Sequence, residues 1–145
     1  MKIRAKAVIQ SFNLTTDPDG EAVVTVRQAR EGETQERNDM LSTVSRVYES
    51  RVDNALMKLE QSVNRRKLMR KEAYLTLANV TGVVTEDGEE VFKSKETVDG
   101  PSVRGGMSET AFNLVWDRLP PEVATEIVSF VYAVNPTWDP DNLGE

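Results

Sequence analysis

The chain contains no cysteine and no histidine. Those two absences together exclude disulfides, thiol nucleophiles, Ser-His and Cys-His dyads and the common zinc sites. Whatever chemistry remains belongs to carboxylates, lysine or tyrosine. Long apolar runs are missing as well. Ala7-Val8-Ile9 is the longest near the start, short of a signal-peptide core and far from the roughly 20 apolar residues that span a bilayer. The expectation is a protein that stays in the cytosol where it is made, and the lack of cysteine fits a reducing compartment. Basic charge is also scarce. Against 24 Asp and Glu stand 18 Lys and Arg, a net charge of −6, which argues against holding nucleic acid by bulk electrostatics.

What is present bounds the answer further. A length of 145 residues suits one domain with one core. Hydrophobic residues make up 39% and charged residues 29% of the chain, against typical shares of about 45–50% and 25%. So lean an apolar share leaves room for a partner to complete the burial.

The patterning predicts a single α+β domain over residues 1–145, mainly helical. Residues 1–30 read as a β-hairpin. From Lys2 to Phe12, Ile3, Ala5, Ala7 and Ile9 alternate with Lys2, Arg4 and Lys6, the period of a half-buried strand. Thr15-Thr16-Asp17-Pro18-Asp19-Gly20 is a turn sequence, and Val23, Val24 and Val26 suit the returning strand. Residues 34–80 read as one long or bent amphipathic helix capped by Thr34, with Leu41, Val44, Tyr48, Val52, Ala55, Leu59 and Val63 on its stripe. The stripe falters at Arg65-Arg66-Lys67 and resumes with Leu68, Met69, Ala73, Leu77 and Val80 until Thr81-Gly82 stops it. Residues 81–107 read as a short hairpin about Asp87-Gly88, followed by a mobile loop with Gly105-Gly106 as a flexible joint. Residues 108–135 read as a helix pair. Ser108 caps the first helix, Pro121 opens the second, and Asn135-Pro136 closes it. Residues 136–145 read as an irregular tail.

Few constellations carry chemistry. Asp17, Asp19 and Glu21 surround a glycine, but their spacing does not fit a calcium loop. Glu86, Asp87, Glu89 and Glu90 read as a solvated hairpin tip. No acid lies within a clear apolar stripe, as a general acid with a raised pKa would require. Arg104-Gly105-Gly106 lacks the pattern of a phosphate loop. The sequence therefore assigns no catalytic residue, no cofactor and no metal ligand. Two features suit a partner. Arg65, Arg66, Lys67, Arg70 and Lys71 form a dense basic group that could face water, grip phosphates or meet an acidic protein surface. Phe112, Trp116, Phe130, Tyr132 and Trp138 crowd the last third, and helical spacing marks most of them as core. Trp138 lies beyond the last helix, where little is left to cover it, so it heads the candidate partner-binding residues Trp138, Trp116, Phe130, Arg66 and Lys67.

Three segments together resemble the small tail-assembly chaperones of long-tailed bacteriophages and related prophages. They are Ala22-Val23-Val24-Thr25-Val26-Arg27-Gln28-Ala29 leading into a long helix, Arg70 to Leu77 followed by the Asp87-Gly88 hairpin, and Phe112-x-x-x-Trp116-x-x-Leu119-Pro120 to Asn135-Pro136-x-Trp138. The resemblance implies a non-enzymatic protein of the host cell cytoplasm. Such a protein binds the tape-measure protein, and in some cases the tail tube subunit, before the tube polymerises, either as a single chain or as a homo-oligomer. A longer frameshifted form is common in that family. A structural virion protein of the tail or head-tail connector is the alternative expectation. A small nucleic-acid-binding regulator using Arg65 to Lys71 is the second. No membrane role is expected.

Overall fold

A computed structural model describes the backbone of residues 1–3, 7–49 and 54–142, and the side chains among them outside 42–63. Its elements form an α+β fold, as the patterning predicts. Strands β1 (Ile9–Asn13) and β2 (Val23–Arg27) pair antiparallel, with Ile9 opposite Arg27 and Asn13 opposite Val23. The expected hairpin is present, but its first strand is later and faces the other way. Ile3 is 85% exposed and Ile9 is also exposed. Phe12, on the opposite parity, stacks on Phe130 with ring centroids 4.6 Å apart. A strand's parity is set by the surface it meets, and a slip of one residue exchanges all its side chains between faces.

The intervening loop is fastened from two sides. Asp17 accepts backbone N–H bonds from Ala22, Asp19 and Glu21 at 2.9, 3.1 and 2.8 Å, and these hold its carboxyl below the usual range. Its cluster with Asp19 and Glu21 is thus a turn closing on itself. From the far end of the chain, Glu126 accepts from the backbone N–H and hydroxyl of both Thr15 and Thr16.

Helix α1 (Glu31–Glu49) starts three residues before Thr34. Glu33 accepts the Arg30 N–H at 2.9 Å, and the Arg30 carbonyl accepts from Thr34 N–H at 3.0 Å. This is the glutamate half of a capping box, built without a hydroxyl residue. The same Glu33 pairs with buried Arg27, which also donates to the Leu75 carbonyl at 2.6 Å. Helix α2 (Asn54–Thr76) runs through Asn64 and the basic residues after it, so the helix does not break where the stripe falters. The stripe residues Val44, Tyr48, Val52, Ala55, Leu59 and Val63 lie outside the described side chains.

The end of this helix departs from the expected stripe. At Thr76 it passes without a loop into strand β3 (Leu77–Thr81), which pairs antiparallel with β2 and completes the sheet order β1-β2-β3. Leu77 and Val80 belong to this strand and not to a helical stripe. Every residue from Glu72 to Ala78 is buried, so burial on all sides permits either period and the sheet decides. At the end of β3, Gly82 (φ +83°) lies so close to the backbone of Ala22 that an added Cβ would come within 2.7 Å of it.

The expected central hairpin reduces to one bridge, Val84 with Glu90, about the Gly88 turn. Beyond it the expected mobile loop is ordered. Strands β4 (Lys95–Thr97) and β5 (Gly100–Ser102) form a second hairpin that leads into a single helical turn, α3 (Val103–Gly106). Gly106 is a close-packing site, not a joint, because a Cβ there would meet Ser94 backbone and the Lys93 carbonyl at 2.6 Å.

Helix α4 (Glu109–Trp116) is capped by Ser108, whose hydroxyl accepts the Ala111 N–H at 3.1 Å. Helix α5 (Pro121–Val134) has Pro121 in its first turn, as expected. The tail is not irregular where described, since Pro136–Trp138 and Pro140–Asn142 form 3-10 turns. One core joins these elements. Phe112 is fully buried at its centre, 5.1 Å from Tyr74, 5.7 Å from Trp116 and 5.8 Å from Phe92, measured between ring centroids. Asn135 ties the end of α5 to β2, accepting from Ala29 N–H at 2.8 Å and donating to the Arg27 and Val131 carbonyls at 3.2 Å. No helix among the described residues is long and apolar enough to cross a membrane.

Trp138 is only 4% exposed, packed under Arg37 with the guanidinium 5.5 Å from its ring. The expectation that it lacks cover is overturned. Trp138→Ala should therefore cost about 3–5 kcal/mol, read as a lower midpoint of urea unfolding. A second prediction concerns pH. Burial pushes the Glu126 carboxyl up, but the hydrogen bonds from Thr15 and Thr16 outweigh it and hold the group at about 2 against an ordinary 4.5. Because the folded value is the lower, this contribution is present above pH 4.5 and lost as pH falls through 2. The gap in urea midpoint between wild type and Glu126→Gln should close over that window.

Candidate functional site: a basic-walled groove

The second half of α2 and the α4–α5 corner enclose an open groove of about 570 Å³. Its position follows from local sequence. Leu68, Tyr74 and Leu75 are buried and fix how α2 rotates on the core, which leaves Arg65, Arg66 and Lys67 exposed along one wall. Pro120-Pro121 breaks the chain between α4 and α5, so the two helices diverge and leave space beside Leu119. Met69, Trp116, Leu119, Ala124 and Val128 give the groove its apolar floor, Thr125 and Pro121 complete the α5 side, and the ion pair of Arg70 with Asp117 lines the α4 end.

The five basic residues of the sequence cluster do not act together. Arg70 donates to both oxygens of Asp117, the C-cap of α4, at 2.9 Å. Lys71 donates to Glu109 at 3.0 and 3.1 Å. These two cations fasten α2 to α4. Arg66 and Lys67 have no ion-pair partner among the described residues; Arg65 has none within ion-pair distance either, but its charge is felt by Glu72 and Tyr132.

Of the five candidate partner-binding residues, the structure brings Arg66, Lys67 and Trp116 to this groove. Trp116 is only 8% exposed, so it offers an edge to the groove while the rest of its ring packs on Phe112. Trp138 and Phe130 do not line it. Trp138 is sealed beneath Arg37, and Phe130 is half-buried against Phe12. Sequence reasoning missed Ala124 and Val128. Their signal was the width of the apolar face of α5, because each sits one residue past a stripe position, Val123 and Ile127, and broadens the stripe beyond a single line.

Sequence reasoning also missed a buried acid. Glu72 is 0% exposed. Arg37 of α1 donates to one of its oxygens at 2.9 Å, and the Tyr132 hydroxyl of α5 donates to the other at 2.7 Å. Arg37 also donates to the Trp138 carbonyl at 3.2 Å. Burial pushes the Glu72 carboxyl up, against the pull of Tyr132 and Arg37. Burial and the neighbouring Glu72 charge push the Tyr132 hydroxyl up in turn. With both oxygens held and no exposed surface, Glu72 presents no open face to a substrate. It lies at i+4 from Leu68 and i−4 from Thr76, both buried, and that spacing was the available signal.

Among the described residues no group of three or more Asp or Glu could hold a metal ion. No family model, curated protein or solved structure matches this chain.

Removing the buried carboxylate would strand Arg37 and Tyr132 in the core. Glu72→Ala should cost about 3–5 kcal/mol, the cost of breaking a buried pair from one side, measured by chemical denaturation.

Proposed function

We propose that this chain is a non-enzymatic tail-assembly chaperone of a long-tailed bacteriophage or prophage, working in the host cell cytoplasm. It holds an apolar helical segment of a tail protein, the tape-measure protein in particular, until the tube assembles. The single observation that carries the reading is the groove beside Trp116. It combines an apolar floor with one cationic wall, the composition that suits an amphipathic helix laid into a groove. Resemblance to that family in three segments of the sequence supports the choice of client. The chain's own charge of −6 keeps a complex with an apolar client in solution.

The test is co-expression with the tape-measure protein encoded by the same phage. The chain is expected to hold that protein in the soluble fraction and to co-purify with it. Ala124 is half-buried on the groove floor, so Ala124→Arg should block capture while changing stability by less than about 1 kcal/mol. A client equally soluble without the chain, or one held as well by Ala124→Arg, would overturn the reading.

A further inference from the structure

We infer that the groove selects its occupant by charge, taking an amphipathic helix whose apolar stripe is flanked by carboxylates. This deepens the proposed function and rests on it. Complementarity of charge would make that choice. The chain carries six more acidic than basic groups, yet Arg65, Arg66 and Lys67 stand together on one wall of its groove, exposed and without an ion-pair partner among the described residues. Their neighbours Arg70 and Lys71 show what the same helix does when acids lie within reach, since both are paired across to α4.

An occupant must fill the apolar floor and meet this wall at once. A space of about 570 Å³ is in the range of pockets that admit a few side chains. A helix enters such a groove through apolar residues at i, i+3 or i+4, and i+7. Carboxylates one helical step to the side of that stripe would then face Arg66 and Lys67. A helix with lysines at those places would set like charges against each other, and such juxtaposition rejects wrong partners.

Two synthetic helical peptides of about 18 residues, or five turns, provide the test. They share one leucine stripe and differ only in flanks of Glu or Lys. Binding is read from tryptophan fluorescence in the Trp138→Phe background, in which Trp116 is the only tryptophan. At low salt the Glu peptide should bind at least about tenfold more tightly than the Lys peptide, a difference of about 1.4 kcal/mol. The preference should shrink as salt rises, and the double variant Arg66→Glu, Lys67→Glu should reverse it. Both residues are exposed, so the double variant should keep the wild-type melting temperature. The wild-type comparison decides the matter even if it does not.

Equal binding of the two peptides would overturn selection by charge while leaving the groove as a helix site. Binding of neither would remove the helix-binding reading itself. Two further results would also overturn the inference. One is a dimer of the free chain that the double variant dissociates, which would make a second copy the occupant. The other is tight, steeply salt-dependent binding of a DNA duplex that the double variant abolishes.

Discussion

The fold depends on a charge that has no access to water. Segment 72–78 passes between the helices and the sheet, and the chain changes from α2 to β3 within it without a loop. Every side chain in the segment is buried, including Glu72. A buried carboxylate is tolerable only when its oxygens are held, and the two groups that hold this one come from opposite ends of the sequence. Arg37 brings in α1 and, through the Trp138 carbonyl, the tail. Tyr132 brings in α5. One acid thus dictates where three separate segments must sit. A second buried pair, Arg27 with Glu33, performs the same service at the start of α1 and reaches the Leu75 carbonyl of the same segment.

The groove is a consequence of this arrangement. With 72–78 sealed, α2 cannot rotate about its axis, so Arg65, Arg66 and Lys67 are directed outward while Leu68 is held in. The corner at Pro120-Pro121 then sets α5 at an angle to α4 and opens an apolar floor beside them. Several acids among the described residues are engaged in other contacts. Asp117 and Glu109 hold Arg70 and Lys71, Glu126 holds the loop at Thr15 and Thr16, and Glu36 holds Arg104 at 2.6 Å. A chain of net negative charge thereby keeps one positive wall.

Much of the C-terminal third was legible because its signals are local. Ser108 as cap, Pro121 in the first turn and the stripes of α4 and α5 depend on neighbours a few residues away. The same holds for the turn at Asp17 to Gly20. The cap of α1 was not legible, because Arg30 is no capping residue and Glu33 supplies the bond from the other side. Strand β3 was hidden by its own burial. An uninterrupted apolar run carries no period that would separate strand from helix. The hairpin of β4 and β5 was hidden for the reverse reason, being short and polar, with its loop held by a distant segment through the Ala7 N–H to the Asp99 carbonyl. Of the candidate site, the cations and Trp116 were visible as residue types. Their meeting was not.

The sequence by itself determined the α+β composition, the presence of a first hairpin about the Asp17–Gly20 turn, and the helix starts marked by Ser108 and Pro121. Each of these depends on residue chemistry or on spacing within one element. Tertiary structure alone decided that Trp138 is core, that Glu72 is buried, that Arg70 and Lys71 are paired, and that Arg66 and Lys67 share a groove with Trp116. Those outcomes require groups from α1, α2, α4, α5 and the tail to meet in space. Burial and Coulomb energy follow distance through space, and no periodicity along the chain records that distance.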